Sequence, residues 1–464
     1  MSMKNVSQKE KTSMMSPSGM ETQGFIQVPE WGFLEEGRMS LKDAQRHFLI
    51  FGETGSGKTR SGVLPLLSSW IRFGAGSPET RPGMLVIDPK NEIGPYLRES
   101  GLPGVKDVLI DIATSKRKVD LFEGVDRSRL TPWDVVEAIR PLTTFQLEKR
   151  NPDHTFWAQL GERLLVAAID GDRRRPLNQS LFGEDENDNY FERIEAFLIK
   201  TSGNGNAKVT AWNGLSNLGC EEAAEFAGMA EEQYSGALSF AMNYLRIPAS
   251  ETFARYVWCN PFIPLGKEVA VSVLEAMEEG KILLVGFLDQ KRMDAADAVG
   301  KVIKGMFFRF TFSRKDRERP LVYVCDEFQR FITGDEETGE QSYIDRCRAM
   351  NVSCILATQS PNSLLYALKT QAGSASPKDS FHIIFDNTGN KLFFKTDNTT
   401  VVDELQKRIP LPSRANSSRH VVEIRPPARL RLGECYALLA GGRWGIWKVD
   451  LGGGPKDREE CPGF

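Results

Sequence analysis

The sequence predicts an α/β protein built on a mostly parallel sheet, with helices on both faces and an all-helical stretch inserted into the chain. Three observations predict it. Short apolar runs alternate with helical segments before residue 131 and again after residue 260, the pattern of a sheet buried on both sides. The first such run breaks into a glycine-rich loop, Phe48-Leu-Ile-Phe-Gly52-Glu53-Thr54-Gly55-Ser56-Gly57-Lys58-Thr59. Between the two alternating parts the spacing of apolar residues is helical.

These divisions give expected boundaries. Residues 1–24 are polar and aperiodic and read as a mobile leader. A nucleotide-binding unit follows in two parts, 25–130 and 261–451, with an all-α domain over 131–260 between them. The glycine- and charge-rich residues 452–464 read as a flexible tail.

Taken in order, the strand before the loop is followed by a helix-length apolar segment, 61–70. A second strand, Met84-Leu-Val-Ile-Asp88, precedes Pro89-Lys90-Asn-Glu92 and a short helix over 92–99. A third strand is expected over 107–112. Thr131-Pro132-Trp-Asp134 starts the helical stretch with a capping residue and a proline at the first helical position. Further helices are expected around 156–168, 190–199, 221–233 and 250–258. The run Arg173 to Arg175 and the acidic residues after Gly183 read as a solvated connection. Strands resume at 282–288, 321–325 and 352–359, with helices over 294–312 and 343–350. An edge strand is expected at 391–395, and a hairpin turns near Ala440 to Arg443.

Composition excludes several functions. A net charge of -3 over 464 residues provides no global basic field, although a pore can still hold positive charge locally. The 4 histidines and 7 cysteines form no metal-ligand spacing, and cysteines without disulfide patterning suit a reducing cytoplasm. No apolar run approaches 18 residues, so the chain is expected to have no transmembrane span of its own.

The loop fits G-x-x-x-x-G-K-[ST], the phosphate-binding P-loop. Backbone N–H groups can wrap a triphosphate only where glycine permits the torsions and removes Cβ. Gly52, Glu53, Thr54, Gly55, Ser56 and Gly57 would form the cradle, Lys58 would neutralise the β/γ-phosphates, and Thr59 would offer its hydroxyl to Mg²⁺. Asp88 and Lys90 fall at the carboxyl end of a parallel strand, where ligands of such sheets sit. The run ending in Asp326-Glu327 has the form of a Walker B segment. Asp326 would hold Mg²⁺, and Glu327 would polarise the water attacking the γ-phosphate of ATP. Gln359 ends the next strand and can sense that phosphate. Arg346 or Arg348, in the preceding helix, could reach the phosphate of a neighbouring subunit in a ring.

The ordered set of P-loop with Val63-Leu64-Pro65, Asp88-Pro89-Lys90-Asn91-Glu92, Phe156-Trp157 with Leu164-Leu165, Asp326-Glu327-Phe328, and Arg348 leading to Thr358-Gln359-Ser360 resembles the type IV secretion coupling ATPases. These are TraG/TraD-like conjugative motors, related to FtsK and HerA. The resemblance covers roughly residues 45–450. It implies a RecA-like P-loop NTPase domain with an inserted all-α domain, a homo-hexamer, and the driving of DNA or a relaxase–DNA complex towards a secretion channel. The departures are the missing N-terminal membrane anchor, Asn351 in place of a glycine, Arg330-Phe331 where a small turn is common, and Glu53 within the loop. They leave open a cytoplasmic protein docked at the inner membrane through an anchor protein. A nucleotide-switched recruitment platform and a HerA-like translocase of DNA processing or defence are the alternatives.

Overall fold

Nine of the apolar runs become one sheet, and its strand order decides where the loop and the acid pair meet. The computed structural model describes residues 25–27, 38–74, 77–142, 152–175, 189–203, 205–286, 292–334, 339–370, 376–408 and 426–448. The expected leader, the acidic connection after Arg175 and the tail lie outside the described residues.

The strands are β1 (Phe48–Phe51), β2 (Gly83–Asp88), β3 (Leu109–Asp111), β4 (Ile282–Gly286), β5 (Leu321–Cys325), β6 (Val352–Thr358), β7 (Asn390–Phe394), β8 (Glu434–Leu439) and β9 (Arg443–Lys448). They lie in the order β9-β8-β7-β1-β6-β5-β2-β4-β3. From β7 to β3 every pairing is parallel, and β8 runs antiparallel to both its neighbours. The fold is therefore the expected α/β, mostly parallel sheet of a RecA-like P-loop protein.

Alternation along each strand assigns the two faces. Phe48, Ile50, Met84, Val86, Val322, Val324, Ile355 and Ala357 share one core with Leu64, Leu67 and Trp70 of α1 (Leu64–Gly74) and with Ile93 and Leu97 of α2 (Ile93–Glu99). Leu49, Phe51, Leu85, Ile87, Tyr323, Cys325 and Leu356 face the other way, against Ile303 and Phe307 of α10 (Met293–Ser313). Strands buried on both faces carry no polar alternation, and each fully buried Leu, Ile or Phe contributes about 1.5–3 kcal/mol.

The stretch between β3 and β4 is helical: α3 (Pro132–Ile139), α4 (Pro152–Arg173), α5 (Tyr190–Thr201), α6 (Gly205–Ser216), α7 (Glu221–Gly228), α8 (Glu231–Leu245) and α9 (Glu251–Tyr256). Thr131 caps α3, exchanging hydrogen bonds with Asp134 while Pro132 occupies the first turn, as its sequence requires. The apolar interior of these helices is continuous with the α10 side of the sheet. A three-stranded sheet joins their two ends: Lys118–Asp120 pairs in parallel with Val257–Trp258 and with Ala270–Val271.

Three expectations are corrected. The run at 391–395 is not an edge: as β7 it lies between β1 and the β8–β9 hairpin, because the hairpin turning at Gly441 (φ 85°) and Gly442 (φ 77°) folds back alongside it. The helix expected through Trp258 stops at Tyr256, where Val257–Trp258 joins the small sheet. The strand expected over 107–112 is shortened by a helical turn at Val105–Val108. In the first two cases a long-range pairing outweighed a local preference.

Candidate active site

Four neighbouring strands, β1, β6, β5 and β2, end at the same edge and deliver the predicted residues there. β1 runs into the loop 52–57. Gly55 (φ 77°) and Gly57 (φ 93°) take left-handed torsions, and a Cβ on Gly52 would lie 2.6 Å from both Phe394 Cβ and Ser56 Oγ. Glycine is thus required at 55 and 57 by conformation and at 52 by packing. The chain then winds through Lys58–Val63 into α1, with Ser61 N–H donating to the Gly57 carbonyl at 2.7 Å.

Lys58 is 5 % exposed, and burial holds its ammonium below the usual lysine range. Its Nζ donates to the Glu53 carbonyl at 3.0 Å. The buried Ser56 hydroxyl has no hydrogen-bond partner among the described residues. An orphaned buried hydroxyl, a glycine cradle and a buried cation form a donor set suited to phosphate. Thr59 Oγ1 donates to Asp326 Oδ2 at 2.9 Å, and the Glu327 N–H donates to Asp326 Oδ1 at 2.9 Å. Burial pushes the Asp326 carboxyl up to about 6. A buried carboxylate beside a hydroxyl is the oxygen-rich set a Mg²⁺ ion takes.

Glu327 sits at φ 48°, a left-handed torsion rare for its residue type and found where structure over-determines the backbone. Its carboxylate receives Lys90 Nζ on Oε1, and Gln329 Nε2 at 2.6 Å and Gln359 Nε2 at 3.2 Å on Oε2. Burial alone would raise its pKa; the bonds from Lys90 and Gln329 and the charge of Lys58 outweigh it and hold the carboxyl below the usual range. Gln329 was not legible in the sequence. It lies on a single helical turn, Phe328–Arg330, and Thr358 Oγ1 fixes its amide by donating to its Oε1 at 2.7 Å.

The remaining residues divide. Asp88 is completely buried, but its carboxylate caps α2, accepting from the N–H groups of Glu92, Ile93 and Gly94 at 3.0, 2.7 and 2.8 Å. The structure makes it a scaffold for the turn that carries Lys90. Arg346 lies 5.0 Å over the Phe312 ring, and Arg348 is exposed before β6. The seven residues of β6 put about 23 Å between Arg348 and Gln359, so within one chain this arginine does not join the site. Glu53, Thr54 and Gly55 are exposed on the rim.

The departures from the family pattern have local reasons. Glu53 Oε1 accepts the Asp397 N–H at 2.9 Å, tying the loop to the turn after β7. Asn351 takes the left-handed torsion (φ 56°) in which a glycine is easiest, and its amide donates to Arg317 O at 2.9 Å and accepts from Gln45 Nε2 at 3.2 Å. Arg330 pairs with Asp297, and Phe331 packs on Gly300, where a Cβ would lie 2.5 Å from its ring.

Spacing in the sequence offered no metal motif, yet His47, Cys347 and Cys354 converge, buried, at the opposite sheet edge. His47 Nδ1 accepts the Cys354 N–H at 3.1 Å, which puts the ring proton of a neutral imidazole on Nε2, 3.8 Å from Cys347 Sγ. That tautomer leaves no imidazole lone pair for an ion, so this group is a hydrogen-bonded core cluster.

Among known proteins, residues 38–192 match the model of the helicase HerA central domain. No curated protein matches the chain in sequence. Among solved structures, the chain is similar to the unbound bacterial conjugative coupling protein TrwB lacking its first 70 residues, with 14 % identity, TM-score 0.58, and 90 % of this chain and 87 % of that one covered. It is similar also to TrwB with ADP and Mg²⁺ (14 % identity, TM-score 0.57, coverage 90 % and 87 %). TrwB with a non-hydrolysable ATP analogue gives 15 % identity and a TM-score of 0.58, with coverage of 90 % and 88 %. The resemblance drawn from the motifs is thus met in the fold. Among the described residues no helix is long and apolar enough to cross a membrane.

Proposed function

We propose that this chain is a Mg²⁺-dependent ATPase that moves DNA or a protein–DNA complex, as a coupling protein of conjugative or type IV secretion. One observation carries the reading: Thr59, Asp326, Glu327, Lys90 and Gln359, drawn from four adjacent strand ends, are hydrogen-bonded to one another beside the P-loop. In this reading the loop amides and Lys58 bind the β/γ-phosphates, while Thr59 and Asp326 hold Mg²⁺. Glu327 takes the proton of a water as that water's oxygen bonds to the γ-phosphorus and the bond to the ADP oxygen breaks. Gln359 orients the water. Arg348 serves the site of the next subunit in a homo-hexamer, which its distance from its own site supports.

The nucleotide-binding unit comprises 25–130 and 261–451, and 131–260 is an inserted all-α domain that meets cargo, such as a relaxase–DNA complex. The protein works in the cytoplasm and meets the inner membrane through an anchor or channel partner. ATPase rates with and without DNA test the motor. DNA should raise the rate, and a rate indifferent to DNA in a protein that binds none would sink it. Lys58→Ala should abolish nucleotide binding, whereas Glu327→Gln should keep binding and lower turnover about 10²–10⁴-fold. If both variants still transferred cargo, the recruitment platform would be the better reading. The HerA match over 38–192 favours one further alternative, a translocase of DNA processing or defence, which a co-purifying nuclease would mark.

A further inference from the structure

We propose that Lys90 is an exchangeable clamp on Glu327: its ammonium occupies the carboxylate until a γ-phosphate draws it away, so that the base is released only to a triphosphate. The inference rests on the ATPase reading and goes beyond it.

The argument begins with acceptor sites. A carboxylate offers about four lone-pair positions, and in Glu327 three are filled: one by Lys90, two by the glutamines. An attacking water needs an oxygen that is open and not already neutralised by a cation. The three donors differ in how easily they leave. Gln329 is neutral and locked by Thr358. Gln359 is neutral and tied into the edge, its carbonyl accepting the Gly52 N–H at 3.3 Å. Lys90 is charged, sits on a flexible stem in the turn after β2, and its side chain is 35 % exposed while that of Glu327 is 5 % exposed. Glu327 is its only hydrogen-bonding partner among the described residues.

The same geometry puts the clamp beside the phosphate loop. The hydrogen-bond chain from Lys90 through Glu327 and Asp326 ends on Thr59, next in sequence to Lys58, which a P-loop aims at the β/γ-phosphates. A γ-phosphate there is a second anion competing for the Lys90 ammonium, and a diphosphate carries no group at that position. The Lys90 charge then passes from base to substrate, where it opposes the charge developing on the phosphoryl oxygens. Asp88 holds this turn by capping α2, so the exchange needs movement of the lysine side chain alone.

The test is nucleotide discrimination by the full chain, measured calorimetrically with ADP and with a non-hydrolysable ATP analogue. Wild type should favour the analogue. Lys90→Met should reduce that preference at least about tenfold with ADP affinity changed less than about twofold, and Lys90→Arg should restore most of it. In steady state, Lys90→Met should raise KM for ATP more than it lowers kcat. Glu327→Gln, which removes the competing anion, should raise the preference for the analogue above wild type. Equal losses for both nucleotides in Lys90→Met, or an unchanged preference, would overturn the clamp while leaving the ATPase standing. A wild type that bound neither nucleotide would overturn both.

Discussion

The two ends of the central sheet both carry polar side chains and differ in what most of those side chains bond to. At the amino end, most of these side chains bond to backbone. Ser353 Oγ donates to Ala44 O at 2.7 Å, Asn390 Nδ2 to Asp43 O at 2.8 Å, and Asn351 Nδ2 to Arg317 O at 2.9 Å, while the Cys354 N–H binds the His47 ring. Those partners have no alternative position, so the bonds close turns and stay closed. At the carboxyl end the bonds join side chain to side chain: Thr59 to Asp326, Lys90 and both glutamines to Glu327. Of those groups Thr59, Asp326 and Lys90 can turn to a ligand instead, while the glutamines are held in place. Side chains tied to backbone mark a frame, and side chains satisfied by one another mark a site.

The comparison can be broken by substitution. The largest effect is expected where the frame itself is ionic. Lys304 is 1 % exposed, pairs with Glu340, and donates to Phe331 O at 2.5 Å and Thr333 Oγ1 at 3.1 Å, bracing the turn behind the acid pair. Lys304→Met should cost ~3–5 kcal/mol in chemical denaturation, because it leaves the Glu340 carboxylate buried and unpaired. Adding Glu340→Leu to Lys304→Met should recover much of that loss.

A smaller effect is expected at the amino end. Asn351→Ala forces a β-carbon residue into a left-handed torsion and removes bonds to two carbonyls and from one amide, for about 1–3 kcal/mol. Asn351→Gly keeps the torsion and should lose about half as much. A loss equal to that of alanine would mean that the hydrogen bonds alone matter.

The smallest effect has the opposite sign. Lys58 carries a buried ammonium whose hydrogen bond goes to a loop carbonyl, that of Glu53. Lys58→Met should leave the thermal midpoint unchanged or raise stability by about 0.5–1 kcal/mol, while nucleotide binding is lost. Clear destabilisation would place Lys58 with the frame.

Much was legible because it is local. Gly52 to Thr59, the apolar β5 run into Asp326-Glu327, and the Thr131-Pro132-Asp134 cap state their geometry within a few residues, since torsional freedom, two-residue alternation and capping are short-range effects. What was not legible depended on a distant partner. Residues 391–395 look like an edge because nothing in their own sequence reports the hairpin that covers them. Gln329 becomes significant only through Thr358. Asp88 is the exception, because its partners are only 4–6 residues away and a strand-end acid serves equally as a phosphate neighbour or as the cap of α2.

The sequence by itself determined the chemistry available: a glycine-rich loop, a lysine, two acids and a glutamine, each placed after the carboxyl end of a strand. The tertiary structure alone decided their pairing. Thr59 meets Asp326 across 267 residues and Lys90 meets Glu327 across 237, because a parallel sheet aligns the ends of strands from distant parts of the chain.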